Sequence, residues 1–107
     1  MSRRRVILRP QVAGDLLDIH DYLNERSAEA AERFLLRAES TLGDLADAPG
    51  LGSLKNFGGK LKGVRSRAVD GFPNHLIYYK PTRTSVVVLG VLHGARNLPS
   101  VLRQRRP

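Results

Sequence analysis

Residues 85–99 read SVVVLGVLHGARNLP, and this stretch decides how the chain is organised. Its valines and leucines are too apolar for a surface strand and predict a strand over residues 85–93, buried on at least one face. The run stops at His93-Gly94, where a glycine frees the backbone to turn, and Arg96 follows within three residues. A charged side chain is thereby delivered at the end of a rigid strand. An arginine held in that way is always charged and suits the grip of a phosphate or carboxylate. It suits an ionic anchor for the sheet end equally well, and the segment alone does not choose.

Two shorter strands precede it. Residues 75–80, HLIYYK, form one, and the turn 81–84 leads into the apolar run. Residues 64–69 alternate, with Arg65 and Arg67 on one face and Val64 and Ala68 on the other. Asp70-Gly71 is a turn signal that residues 72–74 extend into a loop. Two guanidiniums on one strand face repel unless an anion or an acidic chain lies across them. With Arg96 and His75 they make a surface able to bind RNA phosphates and stabilise the charge of phosphodiester cleavage. A solvated outer sheet face accounts for the same pattern. Tyr78 and Tyr79 point to opposite faces, one into the core and the other free to stack or hydrogen-bond at the surface. His75 and His93, at the ends of neighbouring strands, form either an acid–base pair or local hydrogen bonds.

The first half of the chain is helical. Residues 3–9 alternate as a short strand, with Val6 and Leu8 on one side, and Pro10 ends it and opens a helix. Val12, Leu16, Ile19, His20 and Leu23 recur at three- and four-residue steps, with Asp15, Asp18, Asp21 and Glu25 mostly opposite. His20 on that stripe reads as a packed histidine rather than a metal ligand. Ser27 caps a second helix, whose stripe is Ala31, Phe34, Leu35, Ala38, Leu42 and Leu45. So short a connection predicts an antiparallel helical hairpin. Residues 49–63, with Pro49, five glycines and three lysines, predict a mobile loop. At the far end Asn97 caps a short helix bearing Leu98, Val101 and Leu102.

These elements predict a single α+β domain over residues 1–107. It comprises an N-terminal strand, an antiparallel helical hairpin, a three-stranded antiparallel meander and a short C-terminal helix, with a flexible basic tail at 103–107. The helices cover one face of the sheet, and the other collects the basic residues. Charge is divided accordingly. Residues 15–47 hold nine of the ten acids against three arginines, whereas residues 48–107 hold eleven Lys and Arg against Asp70. Such a split points to a partner of opposite charge on the basic side, either nucleic acid or an acidic protein segment. With no cysteine there are no thiolate metal sites, disulfides or cysteine nucleophiles, and the chain suits a reducing cytosol. No apolar run approaches the roughly 18 residues of a membrane helix. The opening MSRRRVILRP is too short in apolar residues for a secretory signal. Walker, His-Glu-x-x-His and Gly-x-Ser-x-Gly motifs are absent.

The segments VILRPQVAGDLLDIHDYL (6–23), AAERFLLRAESTLGDLADAPGLG (30–52), FPNHLIYYKP (72–81) and VVVLGVLHGARNLP (86–99) together resemble the ParE branch of the RelE/ParE superfamily of type II toxins. The resemblance covers roughly residues 5–102, and its most specific part is the His-Gly-Ala-Arg ending. It implies a bacterial cytoplasmic toxin neutralised by a ParD-like antitoxin. That antitoxin would carry a ribbon-helix-helix domain and a disordered C-terminal segment, able to fold onto the basic sheet side and the helical hairpin. Operator DNA would be reached only through the antitoxin complex. ParE-like toxins poison DNA gyrase, whereas RelE-like relatives cleave mRNA on the ribosome. The cleaving relatives use basic residues on the first meander strand, an arginine on the next, another after the last, and a C-terminal tyrosine or histidine. Here Arg65, Arg67 and Arg96 match in type, and His75 stands where the second-strand arginine is expected. Past Arg96 there is no tyrosine or histidine to deprotonate a 2′-hydroxyl. The resemblance therefore favours a gyrase-binding inhibitor without cofactor or metal, with a ribosome-dependent endoribonuclease using Arg65, Arg67, His75 and Arg96 as the alternative. The inhibitor's contact surface for target or antitoxin would be Arg65, Arg67, Tyr79, His93, Arg96, Leu98 and Leu102.

Overall fold

The apolar run forms β5 (Ser85–His93), and its composition follows from having neighbours on both sides. β1 (Arg5–Leu8) pairs with it in parallel, and β4 (Phe72–Pro81) pairs antiparallel on its other side. β3 (Arg65–Val69) continues the meander, and a two-residue strand, β2 (Ser53–Leu54), closes that edge. The order across the five-stranded sheet is β1-β5-β4-β3-β2. The computed structural model describes residues 3–94, 96 and 98–104. Asn97, expected as a helix cap, and the tail arginines Arg105 and Arg106 lie outside these residues.

The helices follow their periodicity. α1 (Gln11–Asn24) starts behind Pro10 and buries Val12, Asp15 and Ile19. α2 (Ala28–Asp47) is capped by Ser27, whose Oγ accepts from the Ala30 N–H at 3.1 Å, and buries Ala31, Phe34, Ala38, Thr41 and Leu45. Joined by three residues, the two helices lie together over one face of the sheet. Asp15 departs from expectation. It sits on the apolar stripe, not opposite it, and is only 5% exposed.

Residues 49–63 are more ordered than their glycines and lysines suggest. Short 3₁₀ turns form at Pro49–Leu51 and Gly59–Leu61 around β2. Tyr79 anchors the first of them, its hydroxyl accepting from the Gly52 N–H at 2.8 Å and donating to the Pro49 carbonyl at 2.7 Å. A Cβ on Gly52 would come within 2.5 Å of that hydroxyl, so only glycine fits. The Asp70-Gly71 turn forms with Gly71 at φ +81°, but the strand resumes at Phe72, where a longer loop was expected.

A bulge decides which side chains face the helices. Tyr78 pairs with Gly90 but Tyr79 with Val88, leaving Leu89 as the extra residue. Alternation along β5 is thereby reset, and Val91 joins Val86 and Val88 in the core beneath α1 and α2. The opposite face is apolar as well. Val64, Tyr78 and Leu92 form a second cluster there, covered by Leu98 and Val101 of α3 (Leu98–Gln104).

This second cluster corrects the expectation that Arg65 and Arg67 make the opposite face basic: its centre is apolar, and the cations beside it are Arg9, Lys60, Lys80 and Arg103. Residues directly opposite across a ladder share a face. Arg65 pairs with Tyr79 and Arg67 with Ile77, both members of the helix-side core, so the two arginines lie on the helix side near the sheet edge.

Candidate functional site

The end of β5 meets α1 in an open cleft of about 290 Å³. α1 contributes Asp15, Asp18, Ile19 and Tyr22, spaced so that one helix stripe forms the wall. The sheet contributes His75, Val91 and Leu92, and His93 and Arg96 complete the lining. The position of Arg96 follows from the backbone. The Arg96 N–H donates to the His93 carbonyl at 2.9 Å, and the Gly94 N–H donates to the Asn74 carbonyl at 2.7 Å. These bonds tie the turn to the start of β4. Gly94 makes it without a positive φ, so chain pairing rather than glycine's freedom sets the geometry.

His75 and His93 stand directly opposite each other in the ladder, with ring centroids 5.6 Å apart in an edge-on arrangement. The antiparallel register joins the start of one strand to the end of the other. His75 is 7% exposed, packs edge-on against Phe34 and Phe72, and its Nδ1 has no hydrogen-bond partner among the described residues. Burial first, and the neighbouring His93 second, lower its pKa from the ordinary 6.5.

A lowered native pKa means that the unfolded chain binds a proton more readily than the folded one. The stability from a neutral His75 is therefore complete above pH 6.5 and is lost as the pH falls below it through the native pKa. Thermal melting should fall between about pH 7 and about pH 5. His75→Phe, which keeps an aromatic ring against Phe34 and Phe72, should flatten that slope. An unchanged slope in the variant would assign the effect to another group.

The other expected site residues are distributed differently. Arg65 is half-buried, and its Nη1 donates to the Gly52 carbonyl at 2.7 Å. Arg67 is exposed and lines a separate recess with Asp44 and Asp70. Arg65 thus has an oxygen acceptor of its own chain, and Arg67 shares its recess with two carboxylates, of which Asp70 is bonded to Arg37 at 2.9 Å. Neither Arg65 nor Arg67 lines the cleft of His75, His93 and Arg96.

Tyr79 is 0% exposed, which removes it from any contact surface of the folded chain. Burial pushes its phenol up, opposed by the Gly52 hydrogen bond and by the charges of Arg65 and Arg67. Tyr78 is buried too, so neither tyrosine is the surface residue expected. Leu98 is fully buried in the second core, whereas Leu102 is half-buried. His20, half-buried, lies 3.6 Å from the Asp21 carboxylate, and no cluster of metal-ligating side chains occurs among the described residues. No helix among them is long and apolar enough to cross a membrane.

The sequence reading missed the α1 wall of the cleft. Asp15 was legible in principle, since it lies three residues after Val12 and four before Ile19. Carboxylates are so often solvated that periodicity in acids is easily discounted.

The family described as the ParE toxin of the type II toxin–antitoxin system parDE matches residues 6–98. The chain belongs to the ParE toxin family. Among solved structures, this ParE-family chain is similar to one from the chromosomal ParDE toxin–antitoxin system of P. aeruginosa, with a TM-score of 0.67. At 15% identity, over 85% of this chain and 96% of that one, the likeness is one of fold. A search of curated proteins returns no match. The ParE fold accounts for the strand, the helical hairpin, the antiparallel strands and the short last helix in that order.

Proposed function

We propose that this ParE-family toxin arrests growth in the bacterial cytoplasm by binding and poisoning DNA gyrase, and that a ParD-like ribbon-helix-helix antitoxin neutralises it. Operator DNA is then contacted only through the complex of the two. The target is held by the exposed His93 and Arg96 at the cleft, with the exposed Arg67 further along the helix side of the sheet. The observation that supports binding over RNA cleavage is the separation of the four nuclease candidates. His75 and Arg96 line one cleft, while Arg65 is tied to the Gly52 carbonyl and Arg67 lies in another recess. Phosphodiester cleavage needs acid, base and charge-stabilising groups around one phosphate. The alternative is a ribosome-dependent endoribonuclease using Arg65, Arg67, His75 and Arg96.

Incubating the purified chain with gyrase and plasmid distinguishes the two. Loss of supercoiling, or accumulation of cleaved plasmid trapped on the enzyme, is the expected outcome. Unaltered gyrase at a large excess of the chain, together with cut mRNA in a translating extract, would reverse the assignment.

A further inference from the structure

One wall of the cleft between α1 and the end of β5 is the His75 imidazole. Its Nδ1 has no hydrogen-bond partner among the described residues, although the residue is only 7% exposed. Phe34 and Phe72 pack edge-on against the ring and offer it no acceptor, which leaves the cleft as the side from which a polar partner can come. A buried polar group left unpaired is destabilising, so its retention calls for a physical reason. Ile19, Val91 and Leu92 make the rest of the inner lining apolar.

Charge and size narrow the occupant. Asp18 and Arg96 stand exposed at the mouth with opposite signs, while the Asp15 carboxylate already accepts from the Val91 N–H. An anion deep in the cleft would face Asp15, so the interior suits a neutral group. A volume of about 290 Å³ lies at the small end of ligand pockets, and roughly 150 Å³ already holds a benzene. The space therefore takes one substituted ring. Tyr22, His75 and His93 set three rings around it, and aromatic pairs gain from edge-on or offset contact.

We infer that the cleft is a pocket for one neutral aromatic ring bearing a hydroxyl, the ring on Ile19, Val91 and Leu92 and the hydroxyl bonded to the His75 imidazole. A hydroxyl fits either tautomer of that imidazole, since it both donates and accepts. Arg96 keeps its charge for a group outside the pocket. Such a ring has two sources, the tyrosine side chain of a bound protein or a free phenol. The inference deepens the target reading and rests on it only for the first of these.

The test titrates p-cresol, toluene and N-acetyltyrosinamide separately into the full ¹⁵N-labelled chain. The cresol should bind in the roughly millimolar range expected of so few atoms and shift the amide resonances of Ile19, Val91, Leu92 and His93. Toluene leaves the imidazole unpaired and should bind about tenfold more weakly, a comparison that needs no variant. In His75→Phe, its fold checked by circular dichroism, the cresol should bind no better than toluene. Equal binding of cresol and toluene to the unaltered chain, shifts away from the cleft, or a cresol advantage that survives His75→Phe would each overturn the inference. So would a failure of both cresol and the tyrosine amide to bind. Between the two sources, an amide that binds at least as well as cresol assigns the ring to a protein side chain, and its exclusion assigns the ring to a free phenol. Gyrase supercoiling is assayed in parallel without ligand. A chain that poisons gyrase but takes up neither ring loses the pocket and keeps the target reading. A chain that binds cresol in the cleft and leaves gyrase unaltered does the reverse.

Discussion

Arg96→Ala should weaken the hold of this toxin on its target by ten- to a hundredfold, while its melting temperature stays unchanged. The guanidinium is exposed beside His93, on a turn held by the His93 and Asn74 carbonyls, so it is positioned without being consumed by the fold. A charge-assisted hydrogen bond to a carboxylate or phosphate contributes roughly 1.5–3 kcal/mol, and each 1.4 kcal/mol is about tenfold in affinity. An exposed truncation of this kind leaves stability within about 0.5 kcal/mol. Arg96→Lys should fall between wild type and alanine, since it keeps the charge but loses the planar fork. Growth arrest on induction and the concentration that halves gyrase supercoiling are the measurements. Wild-type potency in Arg96→Ala would remove the cleft from the proposed contact surface.

A second large effect is structural. Asp15→Ala should cost about 2–3 kcal/mol of stability, lowering the melting temperature by about 10 °C. The Asp15 Oδ2 accepts from the Val91 N–H at 3.0 Å in a buried setting. β1 pairs with β5 only as far as Leu8 opposite Val88, because Pro10 then turns the chain into α1. Val91 lies beyond that pairing, and a carboxylate from α1 supplies the acceptor that a longer β1 would have supplied. Removing it strands a buried N–H, which costs more than the net value of an ordinary hydrogen bond. Asp15→Asn keeps an acceptor oxygen and should cost about 1 kcal/mol. Thermal melting of the purified variants decides this, and an Asp15→Ala protein that melts with wild type would refute the ladder role.

Much of the architecture was legible because it depends on short-range patterns. The steps from Val12 to Leu23 and from Ala31 to Leu45 predicted both helices, and Ser27 marked the start of the second. The valine run predicted β5 to its observed ends. β2 was not legible, since two residues carry no periodicity, and it owes its existence to pairing with β3. The faces were misjudged for a related reason. Arg65 and Arg67 do share a face, but their partners Tyr79 and Ile77 determine which face that is. Positive charge does lie opposite the helices, but Arg9, Lys60, Lys80 and Arg103 carry it there, residues too scattered along the chain to be singled out, and not Arg65 and Arg67.

Side-chain periodicity and turn residues sufficed for the α+β class, the helical hairpin and the meander, because neighbours in the chain settle each of those features. Long-range pairing settled the rest. The Leu89 bulge reset the inward face of β5, the antiparallel register set His75 against His93, and α1 swung a carboxylate under Val91. None of these is written in adjacent residues, since each arises where segments distant in sequence compete for the same backbone hydrogen bonds and the same buried volume.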